Sequence, residues 1–394
     1  MKTTLEKLIW LSSSVGRDKD LAVGTGGNTS AKTDDKSAMY IKASGSALSD
    51  VDEYKGWRKV DTRAVLDLMV DSELLNLSAT DREVAVAKKL VNACVDGLGN
   101  EPRPSVESTL HSFMGNYAVH LHALPSLAYV CAKDGELVVQ KLFNDKTTKP
   151  LWVPYSNPGF DLGVIVKKYY DKYVDENSKA PEVMFFEKHG MMICTDDVER
   201  TSGLTKEVIR ICQDGLDRMP DELHNKPDQQ VVDRAIELIG NAFEKNAWPT
   251  VNLNYYINPV LELYFSKDDC YELISEGPLT PDEIGFVENP IVIDQALLNE
   301  IDNILATEFK KNGKLSNMIF VKGIGLFITG NKKCADIVRE VFSSSLYVRH
   351  FASKMGGLNV LTDQQQEFVK QWEGEKYRVK QACQSQYTTN NWEK

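Results

Sequence analysis

The sequence predicts an α/β protein with two domains, and three observations support this prediction. Segments with the periodicity of strands alternate with segments that have the periodicity of helices. The chain has 394 residues, which is more than a single hydrophobic core usually organises. A polar stretch with two prolines, residues 218–230, interrupts periodic sequence on both sides. We therefore place a first domain at residues 1–225 and a second, smaller α/β domain at residues 226–394.

The charge and composition of the chain argue against several kinds of partner. A net charge of −11 does not favour a surface for nucleic acid or for an anionic membrane. No apolar run approaches the length of a membrane span, and the charged N-terminal segment does not resemble a signal peptide. The seven cysteines are scattered, without a C-x-x-C pair, which indicates reduced thiols. We expect a cytoplasmic protein with a small-molecule partner.

The first domain begins with a helix from about Thr4 to Val15, where leucine and isoleucine recur at helical spacing. A short strand follows at residues 38–44. Thr80 and Glu83 have the spacing of a capping box and predict the start of a further helix. Residues 106–114 also have a helical pattern. These elements lead into the part of the chain that contains most of the histidines.

Two histidines, His120 and His122, lie one residue apart on a predicted strand with the sequence AVHLHALPS. Side chains alternate along a strand, so the two imidazoles share one face and Val119 and Leu121 take the other. This arrangement supplies half of a zinc site. The alternative is a pair of hydrogen-bonded histidines in the core, and the pair alone does not decide between the two interpretations.

A third histidine, His189, stands beside Gly190 at the break between two predicted strands, in PEVMFFEKHGMMICTDD. Three neutral imidazoles with an open fourth position are the ligand set of a catalytic zinc ion. The remaining histidines have other contexts. We expect His111 to support the site from its helix, and His224 and His350 to lie in a polar linker and near a helix end.

Glu107 lies near the start of a predicted helix in the segment RPSVESTLH. A buried carboxylate beside a metal can act as a general base. The alternative is that this carboxylate only complements the helix dipole. His111 follows four residues later and is expected on the same face of the helix.

The glycine-rich segment GTGGNTSAK, residues 24–32, predicts a turn whose backbone N–H groups can bind an anion. Thr25, Asn28 and Ser30 add side-chain donors. The segment lacks the third glycine of a dinucleotide-binding loop and follows a helix instead of a strand. An ordinary glycine turn is the alternative.

In the second domain we predict a helix at 231–246, strands near 251–265 and a helix near 293–311. The next segment, residues 317–342, repeats the layout of residues 183–209: an apolar strand, a glycine turn, a second apolar strand, a polar turn and a helix. A degenerate internal duplication and chance resemblance both explain this layout. When the glycines of the two turns are aligned, Ile324 takes the place of His189.

Together these segments resemble the class II aldolase/adducin family. The matching motifs occur in the family's order over residues 5–215: Gly24–Ser30, Ser44-Gly45, the PSVE segment ending at Glu107, His120-x-His122, Lys188-His189-Gly190 and Pro154-Tyr155. Beyond this region the chain resembles long bacterial proteins that join a rhamnulose-phosphate aldolase to an alcohol dehydrogenase, in the segments EGPLTPDEI, GIGLFITGNKKCADIVREVF and QEFVKQWEGEKYRVK. No dinucleotide fingerprint occurs, so we do not expect dehydrogenase activity.

The resemblance implies a fold and a set of site residues. The fold is a three-layer α/β/α arrangement around a central, mainly antiparallel sheet. His120, His122 and His189 would hold Zn²⁺ or another divalent metal, and Glu107 would transfer a proton. The expected substrate-binding and phosphate-binding residues are Thr25, Gly27, Asn28, Ser44, Gly45 and Ser105.

The resemblance also implies a reaction. A ketose 1-phosphate would be cleaved to dihydroxyacetone phosphate and an aldehyde through a metal-stabilised enediolate. The family further implies a homo-oligomer in which a neighbouring subunit supplies a catalytic tyrosine, for which Tyr117, Tyr129 and Tyr155 are the candidates. Val106 departs from the family because many sugar-phosphate aldolases have a second serine there, so a substrate without phosphate is an alternative. An epimerase with the same metal site and a non-catalytic, adducin-like module are the alternative functions.

Overall fold

The computed structural model describes residues 2–18, 21, 26–220, 222–248, 252–265, 267 and 269–383. The chain divides into two compact units. The first unit comprises Met1–Leu216, Pro278–Gly285 and Val348–Ala382, and the second comprises Asp217–Gly277, Phe286–Tyr347 and Cys383–Lys394. The first unit therefore includes two later segments, 278–285 and 348–382, which the predicted boundary at residue 225 assigned to the second domain.

The first unit is built around a seven-stranded sheet. Its strands are β1 (Asn28–Lys32), β2 (Ala38–Lys42), β3 (Trp57–Asp61), β4 (Tyr117–Leu121), β5 (Leu151–Val153), β6 (Val183–Phe186) and β7 (Gly190–Thr195). Their order is β3-β2-β1-β4-β7-β6-β5, and every neighbouring pair is antiparallel except the parallel pair β5–β6. The predicted α/β class with a central, mainly antiparallel sheet is confirmed.

In the described residues before the predicted domain break there are nine α-helices: α1 (Thr4–Gly16), α2 (Thr62–Asp67), α3 (Ser72–Leu75), α4 (Ala79–Asn92), α5 (Ser108–Ser112), α6 (Leu124–Val130), α7 (Gly135–Leu142), α8 (Phe160–Asn177) and α9 (Val198–Asp214). Helix α8 has an apolar face because Leu162 and Val166 are four residues apart, and this face packs with Met184 of β6 and Met192 of β7. Full burial of such side chains contributes about 1.5–3 kcal/mol each. This packing holds the two strands that frame the β6–β7 turn.

Helix α4 begins at a different residue from the one that the sequence pattern predicts. Ser78 is its N-cap, and its hydroxyl accepts a hydrogen bond from the backbone N–H of Asp81 at 3.2 Å. The predicted capping box of Thr80 and Glu83 is therefore wrong. The side chain of Glu83 is buried and accepts hydrogen bonds from the backbone N–H of Phe160 and from Trp372 Nε1. These tertiary contacts use the carboxylate that the local pattern assigned to a cap.

The second sheet has four strands in the order β8-β11-β10-β9: β8 (Leu253–Tyr256), β9 (Ile291–Asp294), β10 (Met318–Lys322) and β11 (Gly325–Thr329). The described α-helices that follow the predicted domain break are α10 (Gln229–Lys245), α11 (Pro259–Phe265), α12 (Cys270–Ser275), α13 (Pro281–Phe286), α14 (Ile301–Asn312), α15 (Lys332–Ala352), α16 (Asp363–Gln371) and α17 (Glu373–Cys383). Of these, α13, α16 and α17 belong to the first unit, apart from Phe286 and Cys383. Only β8 lies in the described part of the region 251–265, where strands were predicted. Residues 259–265 are helical instead, because Pro259 suits a helix start and Leu261 and Tyr264 bury one helical face.

Cys334 and Cys383 form a disulfide, which differs from the expectation that all cysteines are reduced thiols. The two residues are 49 positions apart in the sequence, so no local motif indicated the pair. The other five cysteines are free and mostly buried. Among the residues with described coordinates, no helix has the length and hydropathy needed to cross a membrane.

Candidate active site

Three histidines converge at the end of β4. His120 lies on β4, His122 is the first residue after this strand, and His189 is in the turn between β6 and β7. The Nε2 atom of His120 is 3.1 Å from that of His122 and 3.2 Å from that of His189. All three side chains are buried. The structure therefore brings together the three histidines that the sequence pattern singled out, and the imidazoles of His120 and His122 lie on the same side, as the alternation along a strand predicts.

Gly190 allows this close approach of the two strands. A Cβ atom at this position would lie 2.5 Å from the carbonyl oxygen of Leu121 and 2.9 Å from Cδ2 of His122. Real Cβ atoms do not come so close to backbone, so any side chain would push β4 away from the turn. Position 190 therefore needs a glycine, because the backbone at Leu121, between His120 and His122, leaves no room for a side chain there.

The hydrogen bonds of the ring nitrogens fix the direction of the lone pairs. His120 Nδ1 lies 2.9 Å from the carbonyl oxygen of Met191, and His122 Nδ1 lies 2.5 Å from a carboxylate oxygen of Asp282. Both Nδ1 atoms must donate to these acceptors, so in the neutral rings Nε2 carries a lone pair. Burial lowers the pKa of His120 to about 3, which keeps this ring neutral. The Nε2 lone pairs of His120 and His122 therefore face each other, while His189 Nε2 lies between His120 Nε2 and Glu107 Oε1.

This donor set fits a divalent metal ion such as zinc. Zinc binds imidazole nitrogen at about 2.0–2.1 Å, which places two ligand atoms of a tetrahedral site about 3.3 Å apart. The observed separations of the Nε2 atoms are close to this value. Without a cation, converging lone pairs in a buried site repel one another. His120, His122 and His189 also form the one group of possible metal ligands found in the described ranges of the chain.

Glu107 lies beside the three histidines, at the N-cap of α5. Its Oε1 is 3.0 Å from His189 Nε2, and its Oε2 is 3.6 Å from His120 Nε2. Its side chain makes no capping hydrogen bond to α5. Burial alone would raise the pKa of Glu107, but the polar contacts with the surrounding histidines, including the hydrogen bond from His189, outweigh burial and hold the pKa well below its usual range. The carboxylate thus faces the histidines and is ionised.

A buried chain of side chains orients Glu107. Asn28 Nδ2 donates to Glu107 Oε2 at 2.6 Å, so Asn28 Oδ1 is left facing His111 Nε2. His111 must donate through Nε2, and its Nδ1 then accepts from the hydroxyl of Ser30 at 2.7 Å. Burial lowers the pKa of His111 to about 3, so this ring is neutral. His111 therefore lies outside the group of three and supports Glu107 through Asn28.

A pocket adjoins this cluster and contains most of the residues that the resemblance assigns to substrate. Thr25 lies outside the described residues. The other five line the pocket together with Glu107, His122 and His189: Gly27, Asn28, Ser44, Gly45 and Ser105. Gly27 has a φ of +69°, and a Cβ there would lie 2.6 Å from the carbonyl oxygen of His120. Gly27 is therefore packed directly against β4.

The same pocket is also lined by residues from the two later segments of the first unit: Pro281, Asp282, Trp372, Gly374, Glu375 and Arg378. Arg378 Nη2 is 2.5 Å from Asp282 Oδ1 and 2.5 Å from Glu375 Oε1. The sequence pattern gave no role to these residues. Their segments, EGPLTPDEI and QEFVKQWEGEKYRVK, are the ones that resemble the longer bacterial proteins.

Helix α17 lies against the predicted phosphate residues. A Cβ at Gly374 would be 3.1 Å from Val106 Cγ1, and a Cβ at Gly45 would be 2.6 Å from Cβ of Gln381. Val106 therefore makes an apolar contact with the start of α17. This contact gives a physical reason for a valine at the position where many sugar-phosphate aldolases have a serine.

A family model described as the class II aldolase and adducin N-terminal domain matches residues 6–215, which is more than half of the chain. The chain belongs to the class II aldolase/adducin family. It is 27% identical over 218 residues to a Bacillus subtilis (strain 168) protein described as the uncharacterized oxidoreductase YuxG. These residues are 52% of this chain and 28% of that protein, so the chain spans less than two thirds of the relative.

Two solved structures illustrate the likeness of this class II aldolase family member to other proteins. The N-terminal class II aldolase domain of a conserved protein from Thermoplasma acidophilum is 22% identical, with a TM-score of 0.45 over 54% of this chain and 94% of that one. A sugar-phosphate aldolase from Thermotoga maritima is 13% identical, with a TM-score of 0.35 over 53% of this chain and 93% of that one.

The three candidate tyrosines of this family member lie outside the lining of the pocket. The hydroxyl of Tyr117 accepts from Lys7 Nζ at 2.9 Å, and that of Tyr129 donates to the carbonyl oxygen of Cys212 at 2.8 Å. The buried hydroxyl of Tyr155 has no hydrogen-bond partner among the described residues. The role of catalytic tyrosine therefore stays a prediction for each of the three.

Proposed function

We propose that this protein is a metal-dependent aldolase that cleaves a ketose, with or without a 1-phosphate, between C3 and C4. The products would be dihydroxyacetone or its phosphate and an aldehyde. The observation that carries this proposal is the convergence of three imidazole Nε2 atoms beside a carboxylate that lies 3.0 Å from one of them. Membership of the class II aldolase/adducin family supports the same reaction class.

His120, His122 and His189 would hold the metal, with Zn²⁺ as the first ion to test. When bound, such an ion acts as a Lewis acid on the ketone and the adjacent hydroxyl of the substrate. The three side chains are buried, so the polar groups of the pocket act where water is largely excluded.

Glu107 would transfer the proton at the carbon next to the ketone. Asn28 holds Oε2 of this carboxylate, which leaves Oε1 on the side of His189. The low pKa keeps Glu107 ionised and therefore able to accept a proton. Because His111 and Ser30 fix Asn28, the position of the carboxylate is set before substrate binds.

The test is a retro-aldol assay on a panel of ketoses and ketose 1-phosphates, beginning with rhamnulose 1-phosphate, before and after removal of metal by a chelator. We expect release of an aldehyde that depends on metal. The absence of turnover on every member, or turnover that persists after the metal is removed, contradicts the proposal. A change in substrate stereochemistry without release of aldehyde would identify an epimerase instead.

The variant Glu107→Gln separates proton transfer from metal binding. It keeps the size and one oxygen acceptor of the side chain, so we expect metal content to stay near that of the wild type. Loss of the base should lower kcat by about 10²–10⁴-fold. Elemental analysis and the retro-aldol assay on the same preparation check both statements. An active E107Q enzyme would show that Glu107 does not carry the proton.

A further inference from the structure

We infer that Asp282 is a positioning residue of the metal centre, and this inference rests on the metal site of the proposed function. The family model matches residues 6–215, and Asp282 lies beyond them. The carboxylate of Asp282 accepts a hydrogen bond from Nδ1 of His122. The active site would then be completed by a part of this chain that the family region does not contain.

The three histidines differ in how their rings are held. His120 is inside β4, and its Nδ1 donates to a backbone carbonyl of the neighbouring strand β7. His122 lies just beyond the end of β4, where strand pairing no longer fixes the backbone. Its Nδ1 donates to Asp282 Oδ2 at 2.5 Å. A carboxylate in this position fixes the tautomer and the orientation of a ligating imidazole and raises the basicity of the other nitrogen.

Asp282 is itself held in place. Its second oxygen, Oδ1, is 2.5 Å from Arg378 Nη2, and Arg378 also contacts both carboxylate oxygens of Glu375, at 2.5 and 2.9 Å. The side chains of all three residues are at most 14% exposed. Both oxygens of Asp282 are therefore committed, one to the histidine and one to the guanidinium. His122, Asp282, Arg378 and Glu375 therefore form one buried hydrogen-bond network.

The experiment uses the full chain and measures affinity for zinc alone, by competition with a chromophoric chelator. The variants are Asp282→Asn and Asp282→Ser. Arg378 keeps its two contacts with Glu375 in both variants, so the buried guanidinium retains a counter-charge and the chain should fold. We expect zinc affinity to fall by about 10–100-fold, as for other acceptors that orient ligating histidines.

The visible spectrum of the protein loaded with Co²⁺ supplies a second readout. Reorientation of His122 changes the ligand field, so the spectrum of D282N or D282S should differ from that of the wild type. Asp302→Asn is the matched control. Asp302 is also partly buried and accepts from Lys245 and from Asn246 Nδ2, but it lies in the second unit. Zinc affinity and the cobalt spectrum should be unchanged in this control.

The outcomes separate this inference from the proposed function. If the wild type does not bind zinc tightly, the metal site itself is refuted. If the wild type binds zinc and the D282N or D282S protein has the same affinity and cobalt spectrum, only the role of Asp282 is overturned. A lowered melting temperature of the metal-free variants with unchanged zinc affinity likewise assigns Asp282 a structural role alone.

Discussion

The two sheets share an arrangement of strands but differ in the side chains at one position of that arrangement. In the first sheet, β4-β7-β6-β5 lie side by side, and in the second, β8-β11-β10-β9 do. The directions of pairing agree: β4–β7, β6–β7, β8–β11 and β10–β11 are antiparallel, whereas β5–β6 and β9–β10 are parallel. Helices α8 and α14 connect the parallel pairs, and α9 and α15 follow the last strands. This agreement supports the hypothesis of a degenerate duplication.

The glycines of the two turns mark corresponding positions. A Cβ at Gly190 would lie 2.5 Å from the carbonyl oxygen of Leu121, and a Cβ at Gly325 would lie 2.6 Å from that of Tyr256. Both turns therefore use a glycine to bring a strand close to its antiparallel neighbour. The backbone frame alone does not specify a metal site.

The two units differ in the side chains at the positions that correspond to the three histidines. His120 is paired with Met192, two residues after Gly190, and Tyr255 is paired with Phe327, two residues after Gly325. Tyr255 thus takes the place of His120. By the same alignment, Ile257 and Ile324 take the places of His122 and His189. The tyrosine hydroxyl donates to the carbonyl oxygen of Ile324 at 2.8 Å. The second unit has a packed core where the first has possible ligands.

The largest expected effect comes from removing a ligand in one unit and its counterpart in the other. His120→Ala should abolish stoichiometric zinc and lower kcat/KM by about a thousandfold or more, because a metal supplies several kcal/mol of transition-state stabilisation. Tyr255→Ala removes the corresponding side chain and should leave zinc content unchanged. Elemental analysis of both proteins checks this. Zinc retained by H120A, or lost from Y255A, would break the comparison.

The next effect concerns the two glycines. Gly190→Ala and Gly325→Ala each place a methyl group against a backbone carbonyl, and overpacking of this kind costs about 1–3 kcal/mol. Both variants should lose unfolding free energy, and G325A should lose more, because Gly325 also has a φ of +153°, which alanine rarely adopts. Only G190A should also weaken zinc binding, because it displaces the strand that carries His120. Denaturant unfolding and chelator competition measure the two quantities, and equal zinc affinities in G190A and G325A would contradict the assignment.

The smallest expected effect distinguishes the units by pH. Burial raises the pKa of Glu83 from its ordinary value of 4.5 to about 7, although hydrogen bonds from Phe160 N and Trp372 Nε1 oppose the shift. The folded-state pKa lies above the unfolded one, so the associated stability is fully present below pH 4.5 and is lost as the pH rises to about 7. The loss is at most about 3 kcal/mol.

Glu83→Gln does not titrate, so it should flatten this pH dependence. The change should appear in the unfolding transition of the first unit, measured by denaturant titration at several pH values between 5 and 8. The transition of the second unit serves as the internal control and should keep its pH dependence. The same slope for the first unit in E83Q and in the wild type would show that Glu83 does not contribute.

Local patterns predicted the fold class and brought the histidines and Glu107 to attention. Strand alternation placed His120 and His122 on one face, and the break between two predicted strands placed His189 beside Gly190. The contacts of Asp282 could not be predicted in this way, because it lies 160 residues from His122 and 96 from Arg378. No periodicity spans such distances.

At Glu83, a local pattern predicted a contact that the structure does not contain. The spacing of Thr80 and Glu83 fits a capping box, but the same glutamate contacts Phe160 and Trp372, which are 77 and 289 residues away in the sequence. Tertiary contacts decided the orientation of the side chain. Similarly, Val106 lies beside Gly374, a neighbour 268 residues away in the sequence that no local pattern predicts.

The interrupted path of the first unit has a consequence for synthesis of the protein. The chain leaves this unit after Leu216 and returns at Pro278 and again at Val348. On the ribosome, all three histidines emerge before Asp282 and Arg378 have been made. A nascent chain would therefore display the three histidines without Asp282 and Arg378 for the time needed to translate the intervening residues. Metal captured during that interval would be held without the carboxylate that orients His122, and the centre would reach its final affinity only late in translation.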